Sequence, residues 1–305
     1  MKFHWLCLSL AACLVACHES ARPFVVVYTS QDQIYSEPLL RAFTKETGIE
    51  VRAVYDSEAV KTVGLAHRLL AERNNPRCDV FWNNEELRTW QLAAQGVFAE
   101  TNGWKTVGYR TRRIVINTNL VSAGRAPHNL ADLTNGVWRG KIALAYPLFG
   151  TTATHFLALR QRWGDERWQA WCRALIANKP FLVDGNSVVV KLVGQGEAWI
   201  GLTDSDDIAA GQREGLPVAA LPMDAETLPI PNTIAFVRNG PHPGAAQKLV
   251  DFLSRPGTVQ KLVEVNALEG IASSEANLST LKPDFAALLR DLEPATTSLK
   301  AIFLR

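Results

Sequence analysis

Phe24-Val25-Val26-Val27-Tyr28, the polar turn Thr29-Ser30-Gln31-Asp32 and the amphipathic stretch Ser36 to Thr47, closed by Gly48, decide the fold. A short β-branched and apolar run reads as a buried strand, and apolar positions at a 3.6-residue period read as a helix, with glycine at its end. The unit then recurs. Ile49 to Tyr55 alternates as a second strand, Asp56-Ser57 offers helix caps, and Glu58 to Arg73 carries Val60, Val63, Leu65, Leu69 and Leu70 at helical spacing. Asp79-Val80-Phe81-Trp82 is a third strand, Asn83-Asn84-Glu85-Glu86 its turn, and Leu87 to Gln95 a third helix before Gly96. Strand alternating with helix in this way predicts an α/β protein with a mostly parallel, doubly wound sheet.

A second set of units follows Arg113-Ile114-Val115-Ile116-Asn117. Its strands are Lys141 to Ala145, Phe181 to Val183 and Ala198 to Thr203; its helices run from Ala153 to Trp163, around Trp168 to Ala177, and from Val188 to Val193. The turns between them are Tyr146 to Thr152, Asn186-Ser187 and Asp204 to Asp207. Past Pro229 and Pro231, Thr233 to Val237 reads as a strand returning to the first set, and Ala245 to Leu253 as a helix.

With 305 residues the chain has room for about two domains at roughly 150 residues each. A 47% hydrophobic content with nine Trp and twelve Phe supplies a large core and excludes disorder, collagen and coiled coil. Thirty-two basic against thirty acidic residues leave a formal charge of +2, too balanced for the basic stripe of a nucleic-acid binder. The start of the chain is an address: Met1-Lys2, then an apolar run from Trp5 to Ala16, too short to span a bilayer. Leu14-Val15-Ala16-Cys17 resembles the lipobox of bacterial lipoproteins, which implies removal of residues 1–16, lipid on Cys17, and attachment outside the cytoplasm in the periplasm or at the cell surface. Cys7 and Cys13 would leave with the signal, and Cys78 and Cys172 are expected to stay unpaired as small buried thiols.

In open α/β sheets ligands bind beyond the carboxyl ends of the strands, so the turns hold the candidate site. Three of them place small polar residues at a helix start: Asp56-Ser57, Gly150-Thr151-Thr152 and Asn186-Ser187, which read either as ordinary caps or as anion-holding N–H groups. Asp204-Ser205-Asp206-Asp207 differs in sign: three close carboxylates call for a cation or an amine, or else read as one helix cap with solvated neighbours. Asp32, Glu85 and Glu86 add oxygen atoms from the first set, and Ser30 and Asn84 share their turns. Arg110-Thr111-Arg112-Arg113 reads as a solvated edge or, through Arg110, as a fork for a carboxylate or phosphonate. Asp206→Asn and Thr151→Ala are expected to weaken binding without unfolding, since both turns are taken to lie outside the core. His67 and His155 fall within helices and read as structural. No H-E-x-x-H, G-x-S-x-G, P-loop, G-x-G-x-x-G or C-x-x-C occurs from Cys17 onward, so a binding protein is read ahead of an enzyme. The competing class is an envelope enzyme in which the acidic turn holds a metal and Asp206 or Asp207 serves as general base.

The chain resembles the solute-binding proteins of bacterial ABC importers, in the group related to ferric-iron and aminoethylphosphonate receptors, over roughly residues 24 to 270. The resemblance rests on Val27-Tyr28-Thr29-Ser30, on Arg68-Leu69-Leu70-Ala71-Glu72 with Asn75-Pro76 leading to Asp79-Val80-Phe81-Trp82, and on Gly185-Asn186-Ser187-Val188 leading to Gly196-Glu197. Leu228-Pro229 before the returning strand and Pro256-Gly257 after the helix complete it. It implies a two-lobed periplasmic-binding fold, lobe one over 23–112 plus 234–285 and lobe two over 113–233 plus 286–305, closing over a ligand by hinge motion. Iron-binding members use adjacent tyrosines after the strand equivalent to Ala198 to Thr203, commonly with a histidine and a glutamate from the first lobe. Here Ser205 and Asp206 fall near the tyrosines, Asp32 near the histidine, and Asn84 or Glu85 near the glutamate. With Asp207 added from the acidic turn, the expected metal set is Asp32, Glu85, Asp206 and Asp207. The ligand is expected to be a metal ion or metal–anion complex, with a zwitterionic aminoalkylphosphonate as the alternative. No cofactor is required beyond that ion, and the expected state is a monomer partnered by an inner-membrane permease.

Overall fold

The computed structural model describes residues 22–55, 61–99, 103–275 and 279–304. The signal segment, Cys17 and Ser57 lie outside the described residues. The first three units form as the periodicity predicts: β1 (Phe24–Thr29), α1 (Gln33–Thr47), β2 (Glu50–Tyr55), α2 (Lys61–Glu72), β3 (Val80–Asn83) and α3 (Glu86–Ala94). β1 lies parallel to β2 and β3, with Val27 opposite both Ala53 and Val80. Alternate residues of β1 face opposite sides. Val25 and Val27 pack with Leu39, Phe43, Leu249 and Leu253, whereas Tyr28 packs with Leu65, Leu69, Phe81 and Leu92. Each such buried side chain contributes about 1.5–3 kcal/mol of transfer free energy.

The chain then runs through one long strand, β4 (Trp104–Asn117), and enters the second set: β5 (Ile142–Ala145), α4 (Gly150–Trp163), α5 (Asp165–Ala177), β6 (Phe181–Val183), α6 (Asn186–Gln195), β7 (Ile200–Asp204), α7 (Ser205–Arg213) and β8 (Val218–Ala220). β9 (Pro229–Phe236) returns to the first half, followed by α8 (Pro243–Leu253), α9 (Pro256–Glu264), β10 (Gly270–Ile271), α10 (Ala272–Glu275) and α11 (Phe285–Phe303). The sheet order is β2-β1-β3-β9-β4-β7-β5-β6, with β8 and β10 also pairing to β4. Three parallel strands thus stand on either side of an antiparallel centre made by β9 and β4.

Helices cover both faces of the second half as well. Ile142, Leu144, Phe156, Trp168 and Trp171 form one cluster, into which α11 adds Leu288, Ala295, Leu299 and Phe303. Val115, Ala143, Val189 and Val193 form the other. Cys78 and Cys172 are buried and free. One glycine is fixed by close approach: a Cβ on Gly108 would meet Leu268 Cδ1 at 2.6 Å and the Gly270 carbonyl oxygen at 2.7 Å, where β10 lies against β4.

Three local readings change. Arg110 to Arg113 is the middle of β4, not an edge before a strand. Gly150-Thr151-Thr152 is the first turn of α4, and Ser205-Asp206-Asp207 the first turn of α7, directly after Asp204 ends β7. Acidic residues suit that place, where free N–H groups give the helix end a positive potential.

Candidate functional site

The two halves meet on β4. Thr111 pairs with Pro229 of β9, and the next residue, Arg112, pairs with Asp204 at the end of β7. Arg110 and Arg112, two apart on a strand, share one face. That face looks at the acidic run.

Arg112 Nη1 donates to Asp204 Oδ1 at 2.7 Å and to Asn186 Oδ1 at 2.7 Å, and its Nη2 donates to the Leu202 carbonyl at 3.2 Å. Arg110 Nη1 bonds Asp206 Oδ2, while its Nη2 lies 3.2 Å from Asp204 Oδ2 and donates to the Asn84 carbonyl at 3.3 Å. Asp204 also accepts from the Thr151 hydroxyl at 2.8 Å and from Asn186 Nδ2 at 3.1 Å. Burial alone would raise the Asp204 pKa, but Arg110 and Arg112 outweigh it and hold the carboxyl below the usual range. For Asp206, burial together with Asp204 and Asp32 outweighs Arg110, and the pKa is pushed up to about 6. Asp207 is pushed well above the ordinary value by burial and by Asp206 and Asp204. Burial opposes the charge on Arg110, yet Asp206, Asp204 and Asp207 raise its pKa overall.

One ligand atom from each of Asp204, Asp206 and Asp207 lies within 4.8 Å of the others, a spacing at which a single cation can touch all three. In front of them is a cleft of about 60 Å³. It gathers residues from turns far apart in sequence: Asp32 and Asn84 from the first half, Arg110 from the crossing strand, and Gly150, Thr151, Thr152, Asn186, Asp204 and Asp207 from the second. Ala145, Tyr146, Phe149, Asp184 and Gly185 complete the wall and were not anticipated as site residues.

Several expected residues stand behind the wall. The Ser30 hydroxyl accepts from the Asn84 N–H at 2.9 Å and donates to Asn83 Oδ1 at 2.7 Å, fixing the turn after β3. Ser205 Oγ accepts from the Thr111 N–H at 3.1 Å, pinning α7 to β4. Ser187 is half-buried in the first turn of α6, away from the cleft. Glu85 corrects the expected metal set. Its two oxygens accept the Leu87 and Arg88 N–H groups at 2.8 and 3.1 Å, capping α3, and Oε1 also accepts the Thr154 hydroxyl of α4 at 2.8 Å. A carboxylate so engaged has little capacity left for an ion. Thr151 and Asp206 also differ from expectation, being 5% and 3% exposed and hydrogen-bonded into the core, so changes there act on stability as well as on binding. His155 is structural as read: its Nε2–H donates to the Glu226 carbonyl at 2.8 Å, and burial with nearby Arg112 pushes its pKa down to about 3.

The halves touch beyond the cleft too. Besides the Thr154–Glu85 bond, Arg213 of α7 donates to the Val265 carbonyl at 3.0 Å and to the Tyr35 hydroxyl of α1.

Raised carboxyl pKa values fix a pH dependence. In the folded protein Asp206 and Asp207 bind protons more tightly than in the unfolded chain, so their protonation stabilises the fold below the ordinary carboxylate pKa. That contribution is lost as pH rises through about 6. Chemical denaturation of the ligand-free protein across pH 4 to 7.5 is expected to show stability falling with pH. A rise over that window would contradict the assigned environment of both groups.

The model of a family described as bacterial extracellular solute-binding protein matches residues 25–264. The chain is 26% identical over 201 residues to the Fe(3+)-binding periplasmic protein of Serratia marcescens, a match covering 60% of this chain and 57% of that protein. Among solved structures, iron-bound HitA from Pseudomonas aeruginosa superposes with a TM-score of 0.81 at 19% identity, over 92% of this chain and 99% of that one. AfuA from Actinobacillus pleuropneumoniae, bound to fructose-6-phosphate, does so with a TM-score of 0.80 at 16% identity, over 93% and 99%. These structural likenesses establish the two-lobed periplasmic-binding fold.

Proposed function

The chain belongs to the bacterial extracellular solute-binding proteins, and from that premise we propose that it is the receptor of an ABC importer, capturing a hard, ferric-like metal ion together with a small oxyanion. The observation that carries this reading is a pair of opposite needs at one place. Asp206 Oδ1 is a buried acceptor with no partner, while Asn84 Nδ2 and Arg110 Nε are buried donors with none, among the described residues. A cation beside the carboxylates and an oxyanion beside the donors would satisfy both, and unsatisfied buried polar groups cost about 1–3 kcal/mol each. The relatives that carry iron support the same choice.

The lining favours this over the organophosphonate alternative. The cleft of about 60 Å³ is lined by carboxylates and donors side by side, which suits an ion with a compact anion and offers no separate pocket for the chain that joins an amine to a phosphonate. Capture and hand-over need no covalent step, so we read the protein as a receptor ahead of an envelope enzyme. We place lobe one at 23–112 plus 234–285 and lobe two at 113–233 plus 286–305. No helix among the described residues is long and apolar enough to cross a membrane. Lipid on Cys17 would keep the receptor beside its permease, the closed monomer being the docking form.

The test is thermal stability of the purified protein with ferric citrate, ferric ion plus phosphate or carbonate, divalent metals, and aminoethylphosphonate without metal. Ligand that binds the folded state raises the melting temperature by mass action. The largest rise is expected with ferric ion and an anion together. A response to metal-free aminoethylphosphonate alone would make the acidic run an ammonium clamp, and silence throughout would remove the metal reading.

A further inference from the structure

A second cavity, of about 540 Å³, shares no lining residue with the cleft. Its walls come from β4, α4, β7, residues 118–130 and the segment 221–227 that joins β8 to β9. Ile114, Ile116, Val121, Leu130, Leu202 and Leu221 give it a hydrocarbon lining. Ser122, Ala123, Pro222 and Met223 are exposed at its rim, so it opens to solvent. Sites for small organic molecules have this size, and they combine an apolar lining with a few placed polar groups. Two such groups are present. His155 and Arg112 line the cavity and are each only 1% exposed. His155 Nδ1 and Arg112 Nε are buried with no hydrogen-bond partner among the described residues.

The two atoms are complementary. His155 Nε2 faces the Glu226 carbonyl, which can only accept, so Nε2 carries the ring proton and Nδ1 of the neutral ring presents a lone pair. Arg112 Nε carries a hydrogen, and the charge behind it is met by Asp204. The carboxylates and the second arginine of the lining are engaged elsewhere: Arg113 with Glu269, Glu226 with Trp163 Nε1, and Asp224 with the Thr227 hydroxyl. One acceptor and one donor therefore remain at the buried end of an apolar cavity, and a single hydroxyl satisfies both because it donates and accepts. We propose that this cavity is a second binding site, for a small uncharged apolar molecule bearing one hydroxyl, which donates to His155 Nδ1 and accepts from Arg112 Nε. Water could fill the same two places but would forgo the burial of apolar surface, which contributes about 25 cal/mol per Å². A charged head is disfavoured, because no unmet charge faces it. The assignment does not depend on what the cleft captures.

The probe is 4-ethylphenol, with ethylbenzene as its counterpart lacking the hydroxyl and 4-ethylbenzoate as the charged one. In titrations of the purified protein followed by amide chemical shifts, 4-ethylphenol is expected to bind with a dissociation constant below about 1 mM and to move the signals of Leu130, Leu202 and Thr227. Ethylbenzene and 4-ethylbenzoate should each bind at least about tenfold more weakly. Ala126→Trp places an indole in the cavity from its half-buried wall and should abolish binding. His155→Phe keeps a ring but removes Nδ1, and should weaken 4-ethylphenol at least about fivefold while leaving ethylbenzene within about twofold. Melting curves check that both variants fold, and Ala126→Trp, which removes no side-chain hydrogen bond, carries the test by itself where His155→Phe does not. No binding of 4-ethylphenol, or binding untouched by Ala126→Trp, overturns the site. Ethylbenzene binding as tightly as 4-ethylphenol, or equal affinity in His155→Phe, overturns the recognition of the hydroxyl.

Discussion

Replacing Arg112 by methionine should lower the stability of the ligand-free protein by about 3–5 kcal/mol, the range for removing one partner of a buried ion pair. Arg112 is fully buried, and it is the group through which β4 holds Asp204 of β7 and Asn186 of α6 at once. Without it, Asp204 keeps only Arg110 as a cationic partner, and Arg110 is already engaged with Asp206. Burial then favours the protonated carboxyl, and the end of β7 loses its anchor. The measurement is a urea titration at pH 7, with Arg112→Met/Asp204→Leu as the companion. If the pair itself is the cause, the double variant recovers much of the loss, since apolar replacements of both partners are often tolerated. A single variant within about 0.5 kcal/mol of wild type, the range of ordinary surface substitutions, would show that Asp204 does not depend on this contact.

Asp207→Asn is expected to act in opposite directions on stability and on binding. Asp207 lines the cleft, has no hydrogen-bond partner among the described residues, and burial with the Asp206 and Asp204 carboxylates holds its pKa well above the ordinary value. An amide needs neither to ionise nor to take up a proton on folding, so the ligand-free protein should melt higher at pH 7. The same change takes one anionic oxygen from the proposed ion. The loss of a charge-assisted contact worth about 1.5–3 kcal/mol corresponds to roughly 10- to 150-fold in affinity. Calorimetric titration with ferric citrate beside a melting curve reads both effects. A variant that melts lower and binds as tightly as wild type would exclude Asp207 from the ligand set.

The parts of the fold that could be read from sequence are those in which one short window contains its own cause. β1, α1, β2, β3 and α3 follow from local periodicity and the punctuation of Gly48 and Gly96. β4 does not. Three arginines within four residues resemble a solvated edge, and Arg110 and Arg112 are buried only because Asp204 and Asp206, more than ninety residues away, stand opposite them. α11 escaped notice because Pro294 interrupts its pattern, while packing of Leu288, Ala295, Leu299 and Phe303 keeps it helical. The site divides along the same line. Turns after strands marked Asp32, Asn84, Thr151, Asn186 and Asp207 as candidates, and they do share one cleft. Glu85 carries the same chemistry and the same kind of position, yet a hydroxyl from α4 and two backbone N–H groups engage it first. Tyr146, which opens the turn read as 146 to 152, lines the same cleft.

Thr154 with Glu85, and Arg213 with Tyr35 and Val265, join the halves at points where no ligand intervenes. In a receptor that opens by hinge motion these ties must part before a bound solute leaves, so its dwell time would be set partly by bonds to which it is not a party. Affinity differences among related complexes lie mostly in the off-rate. Two receptors with identical clefts but different residues at 154 and 213 would thus hold the same cargo for different lengths of time. In the importer proposed above, a permease pulling on α4 or α7 would hasten unloading without ever reaching the ion.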